Sequence, residues 1–127
     1  MRMAQCSCSC GNDQKIRLIY SCSGAADVGK IADLVARRLD DDEWGGMSCL
    51  SGIGADLSGF IESAKVADNI MIDGCPVGCG RRLFSQKGLP CSEVVITDHG
   101  LVKGSAPATA EVVERVAGEI KAKFSGK

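Results

Sequence analysis

Long apolar runs are missing from this sequence. Nothing in it approaches the roughly 20 consecutive apolar residues that span a bilayer. The first residues, Met1-Arg-Met-Ala-Gln5, lack the apolar core of a secretory signal. Charge of one sign is not in excess either. Fifteen Lys and Arg stand against sixteen Asp and Glu, a formal net charge of -1, which argues against a nucleic-acid or membrane partner. Histidine is nearly absent: His99 stands alone, so proton-transfer catalysis has little to work with, and an exposed turn residue is the expectation for it. Internal repeats and linkers are lacking too. At 127 residues the chain has the length of one cytoplasmic domain, with a radius of gyration of roughly 14 Å.

Cysteine is what the chain has in quantity, eight in all. A disulfide scaffold is disfavoured, because such scaffolds are usually shorter and secreted, whereas thiols in a reducing cell more often bind metal or do thiol chemistry. Cys6-Ser-Cys-Ser-Cys10 lies in a polar leader without periodicity. Residues 1–14 therefore read as a flexible cysteine-rich leader, and 15–127 as a single α/β metal-binding domain.

Within that domain strands and helices alternate. Lys15 to Tyr20 is rich in β-branched and aromatic residues and reads as a first strand. Asp27 can cap a helix whose apolar positions Val28, Ile31, Ala32, Val35 and Leu39 follow the 3.6-residue period. Asp40-Asp-Asp-Glu43 suits a solvated turn, since acidic side chains oppose the C-terminal dipole. A short second strand lies within 46–50, a loop at 51–54, and a second helix shows Leu57, Phe60, Ile61 and Ala64 on its apolar face. Ile70 to Ile72 is a third, buried strand ended by Asp73-Gly74, with a short helix from Arg81 to Gly88. Glu93 to Thr97 is a fourth strand, and a last helix runs from Pro107 to about Phe124. This alternation implies a Rossmann-like or flavodoxin-like three-layer sandwich with a mostly parallel sheet of about four strands.

Parallel strands all end on one edge, where ligands bind. Cys22, Cys49 and Cys75 each follow a different strand, and Cys79 is about one helical turn beyond Cys75 at a helix N-terminus that favours thiolate. Sulfurs around a tetrahedral zinc lie roughly 3.8 Å apart, and neighbouring strands about 4.8 Å apart, so loops leaning inward permit a four-thiolate site. Four soft thiolates select zinc, with an iron–sulfur cluster as the alternative. Arg81, Arg82 and the helix N-termini can balance the site's negative charge.

Cys22-Ser-Gly-Ala-Ala-Asp-Val-Gly29, Ile31-Ala-Asp33, Met47 to Gly54, Ala64-Lys65, Ala67-Asp68 and Ile72-Asp-Gly-Cys-Pro76 resemble the DGC-domain proteins, zinc-binding proteins named for the triplet here at Asp73-Gly74-Cys75. The resemblance covers nearly the whole chain, the cysteine leader and Thr97-Asp98, Gly100 and Lys103-Gly104 included. It implies Cys22, Cys49, Cys75 and Cys79 as the chelating residues, gives no role to His99 or Cys91, and supplies no established activity. Arg81-Arg82 stands where lysines are usual in the family.

Two other functions compete. A thiol oxidoreductase or sulfur carrier could work through Cys75 and Cys79, whose spacing is one residue longer than the C-x-x-C redox motif. A redox or metal-transfer protein would then be the partner. A nucleotide-binding protein could use Gly24-Ala-Ala-Asp-Val-Gly-Lys30 as a degenerate P-loop, with Ile70 to Asp73 as its Walker B strand. Against that, Ile31 replaces the magnesium-holding Ser or Thr, and Asp27 would face the phosphates.

Overall fold

The computed structural model describes residues 15–125, so the cysteine leader 1–14 lies outside the described residues. Four strands form one sheet: β1 (Arg17–Ser21), β2 (Gly46–Met47), β3 (Asp68–Asp73) and β4 (Ser92–Val95). Their spatial order is β2-β1-β3-β4 and every pairing is parallel. That is the flavodoxin-like order, in which the connections turn in opposite directions on the two sides of the β1/β3 boundary. No described helix is long and apolar enough to cross a membrane.

Helices cover both faces, because alternate strand residues point opposite ways. Ile19, Ile70, Ile72 and Val94 face α1 (Asp27–Asp41) and the last helix, α5 (Ala110–Lys123). Leu18, Tyr20 and Met71 face the other layer, which contains α2 (Leu50–Gly54), α3 (Ser58–Val66) and α4 (Cys79–Gln86). There Tyr20 packs edge-on against Phe84 with ring centroids 4.9 Å apart. Both clusters are aliphatic-rich, and the cysteines reach them only at the rim.

Several boundaries differ from the sequence reading. Asp27 is the first helical residue rather than the cap, a place Ala26 takes. α1 continues through Asp41 into the acidic run, where Asp42 caps it. Lys121 (2.7 Å) and Arg38 (3.1 Å) hold the Asp42 carboxyl below its ordinary range and offset the charge that opposed the helix. The expected loop 51–54 is helical, as α2. Its two glycines hide the pattern: the Phe60 ring lies on Gly52, where an added Cβ would meet it at 2.6 Å. Of the face proposed for the next helix only Ala64 is fully buried, since Leu57 precedes α3 and is 52% exposed. The fourth strand ends at Val95 in a 3-10 turn, Ile96–His99, and α5 starts at Ala110 behind a Thr109 cap instead of at Pro107.

Candidate functional site

Three neighbouring strands deliver three cysteines to one edge of the sheet. Cys22 follows the central β1, Cys49 lies just beyond β2 and caps α2, and Cys75 follows β3. Cys79 is the first residue of α4, two positions before the start that the sequence suggested, so it lies in the first helical turn. Cys22 and Cys75 thus flank the boundary where the direction of chain connection changes, the usual ligand position in open α/β sheets.

The backbone brings the two central loops together. The Cys22 amide donates to the Ile72 carbonyl (3.0 Å), continuing the β1–β3 ladder past the end of the strand. Gly74 N–H then donates to Cys22 Sγ at 3.3 Å. Ser23 takes φ +49, an uncommon conformation for a non-glycine residue, and its amide and hydroxyl both bond the Ser21 hydroxyl. Gly78 stands at φ +65 before α4, where most residues would be strained.

Asp73, which the sequence reading used as a strand end, in the Asp-Gly-Cys triplet and in the competing Walker B strand, also positions the first turn of α4. Its carboxylate is buried and accepts from Gly80 N–H (2.8 Å) and Arg81 N–H (3.1 Å). α4 has a glycine at its cap and no local side-chain acceptor, so the strand end supplies one from seven residues away. That missing cap was the available signal.

Two hollows share Cys22. One, of about 350 Å³, is lined by Cys22, Cys75 and Cys79 with Gly24, Ala25 and Lys103. The other, of about 560 Å³, takes in Cys22, Cys49, Ser23, Ser48 and Arg37. Cys75 and Cys22 are half-buried, while Cys49 and Cys79 are exposed. Among the described residues no three His, Cys, Asp or Glu side chains are gathered closely enough to hold a metal ion.

The charge beside Cys75 comes from a residue other than Arg81 or Arg82. Arg81 Nε pairs with Glu93 at 2.7 Å and Arg82 Nε donates to the Val77 carbonyl at 2.6 Å. Instead, Lys103 Nζ lies 3.6 Å from Cys75 Sγ. Asp27 holds the segment carrying Lys103, accepting from Gly104 N–H and Ala106 N–H at 2.9 Å each. These amides hold its carboxyl below the ordinary value of 3.8. A carboxylate lowered on folding stabilises the fold above its unfolded value, and that contribution is lost as pH falls through the lowered one. In an acid titration, the Gly104 and Ala106 amide resonances are expected to move together as pH drops below about 4, ahead of Val116 in the core. Coincident movement of all three would count against an Asp27 tether.

The remaining candidates lie apart from the thiols. Cys91 precedes β4, so it sits at the opposite edge of the sheet, and burial followed by the Glu93 charge pushes its thiol up. His99 is not the exposed turn residue expected: its ring bonds Glu119 at 2.6 Å and its side chain is 15% exposed. The P-loop reading meets a geometric obstacle. α1 begins at Asp27, so Gly29 and Lys30 sit inside the helix, and Gly29 packs onto Gly24 where a cradle would need space.

Comparisons with known proteins identify the family. The DGC domain family model matches residues 18–120. A curated relative, the anaerobic and virulence modulator AnvM of Pseudomonas aeruginosa, is 32% identical over 93 residues, covering 72% of this chain and 71% of the relative. No solved structure matches the chain. The chain belongs to the DGC-domain family.

Proposed function

We propose that this chain is a zinc-binding thiolate domain of a reducing cytoplasm, with Cys22, Cys49, Cys75 and Cys79 as the ligands. The observation that carries the reading is the strand order: β2-β1-β3 sets three cysteines beyond three adjacent strands, and α4 adds the fourth in its first turn. The donor set suits the ion, because four soft thiolates favour zinc and leave no open position for substrate. Cys22 belongs to both hollows, so coordination needs the other three thiols to turn inward towards it. Gly74 N–H on Cys22 and Lys103 on Cys75 are donors that would stay with metal-bound thiolates and offset their charge.

About one zinc per chain is expected after anaerobic purification, with no visible absorption from an iron–sulfur cluster. Cys22→Ser should lose the metal, while Cys91→Ser, at the other edge, should keep it. Chelation should lower the melting temperature yet preserve the far-ultraviolet circular dichroism, since both core clusters are complete without the thiols. Full zinc content in Cys22→Ser would overturn the ligand set.

A second reading keeps the same residues and dispenses with metal. A thiol-exchange or sulfur-carrying role is favoured by the donors already placed on Cys22 and Cys75. Metal-free protein that forms a mixed disulfide selectively at Cys75 would support it.

A further inference from the structure

The segment between the 3-10 turn and α5 brings Lys103 to the edge of the thiol hollow, and it is held at several points. Leu101 and Ala106 are buried in the α1/α5 core cluster and anchor it at both ends. Between them Ser105 N–H donates to the Val102 carbonyl at 2.9 Å, closing a tight turn, and Gly104 takes φ +95. Asp27, on a different element, clasps the turn through the Gly104 and Ala106 amides. The result is that Lys103 has its Cα fixed over the hollow and its ammonium 3.6 Å from Cys75 Sγ. Among the described residues lining that hollow, Lys103 is the single cation. The one carboxylate there, Asp73, is already engaged by two amides of α4.

We propose that Asp27 is the positioning residue of a latched segment, and that the Lys103 it seats makes Cys75 selective for small anionic thiol-reactive molecules over neutral ones. The proposal rests on the reading of Cys75 as a working thiol, and it holds whether that thiol serves metal or exchange. A fixed ammonium about 5 Å from the carboxylate of an anion changes its encounter energy by about 0.8 kcal/mol even in a water-like dielectric, on the order of fourfold in rate. A neutral reagent of the same shape gains nothing from it. A lysine on an unanchored loop would average that field away into solvent.

The test compares iodoacetate with iodoacetamide. In both, Cys75 Sγ displaces iodide from the methylene carbon: the C–S bond forms, the C–I bond breaks and iodide leaves with the electron pair. The two differ only in the charge of the group left on sulfur. Alkylation of the Cys75 peptide is followed by mass spectrometry in the full chain, as purified and again after chelation. The iodoacetate-to-iodoacetamide rate ratio is read against a short unstructured cysteine peptide. The wild-type ratio is expected to exceed the peptide's by on the order of fourfold. Lys103→Met should bring it to the peptide value, and Asp27→Asn should do most of the same with Lys103 intact. Lys65→Met, on the distant α3, should leave it alone. A general loss of stability would speed both reagents together and leave the ratio unmoved, so the ratio separates positioning from a merely structural role. A wild-type ratio equal to the peptide's, or one that Asp27→Asn does not lower, overturns the proposal. The zinc reading fails separately, by equal Cys75 alkylation before and after chelation.

Discussion

Gly29→Ala is expected to lower the thermal midpoint by on the order of 10 °C and to disorder the turn after Cys22. A Cβ built on Gly29 would stand 2.5 Å from the Gly24 carbonyl oxygen and 2.7 Å from its carbon and nitrogen. Those atoms are backbone, so no rotamer change relieves the contact. Either α1 slides along the sheet or the turn carrying Cys22 lifts off it. Gly74 repeats the problem from the β3 side, where an added Cβ would meet the Val28 carbonyl carbon at 2.7 Å. Gly29 and Gly74 therefore let the two loops of the site pack backbone on backbone against the start of α1. Overpacking of this kind costs about 3 kcal/mol. The same substitution at Gly118, exposed on α5 with nothing near its Cβ, is expected to stabilise by about 0.5–1 kcal/mol. Calorimetry of the two variants checks the contrast. A Gly29→Ala midpoint within about 2 °C of wild type would mean that the close approach is not a feature of the protein.

Asp73→Ala has the second large effect. Removing the carboxylate strands two amides at the start of α4, one of them on fully buried Gly80. Unsatisfied buried donors cost about 1–3 kcal/mol each, so a loss of about 3 kcal/mol is expected in denaturant titration. Asp73→Asn should fall between, because an amide oxygen can still accept while the amide nitrogen opposes the second N–H. The damage should concentrate at the site. Amide exchange at Gly80 and Arg81 should accelerate more than at Ile70, since α4 loses the group that ties its first turn, and Cys79 within it, to the end of β3. Uniform acceleration across the sheet would argue that Asp73 acts through global stability alone.

Much of the fold was legible in the chain because hydrophobic period and strand content are local properties. Val28, Ile31, Val35 and Leu39 announce α1, and Ile70 to Ile72 announce a buried strand, without reference to anything distant. Three cysteines placed after strands, with a fourth about one helical turn on, were likewise a sequence-level argument, since parallel strands must end on one edge. Elements whose helicity depends on contact were not legible. α2 is five residues with two glycines, formed because Phe60 covers Gly52. α1 runs into acidic residues because Lys121, 79 positions away, pairs with Asp42.

The same division runs through the site. Residue order determined which thiols exist and that three of them follow strands. Only the tertiary structure decided that β1 lies between β2 and β3, which makes Cys22 the thiol common to both hollows. Only it turned Arg81 towards Glu93 and brought Lys103, 28 residues along the chain, to Cys75. Charge balance in a folded site is set by distance in space, and a segment closed by hydrogen bonds to a carboxylate 77 and 79 residues earlier leaves no local trace in the sequence.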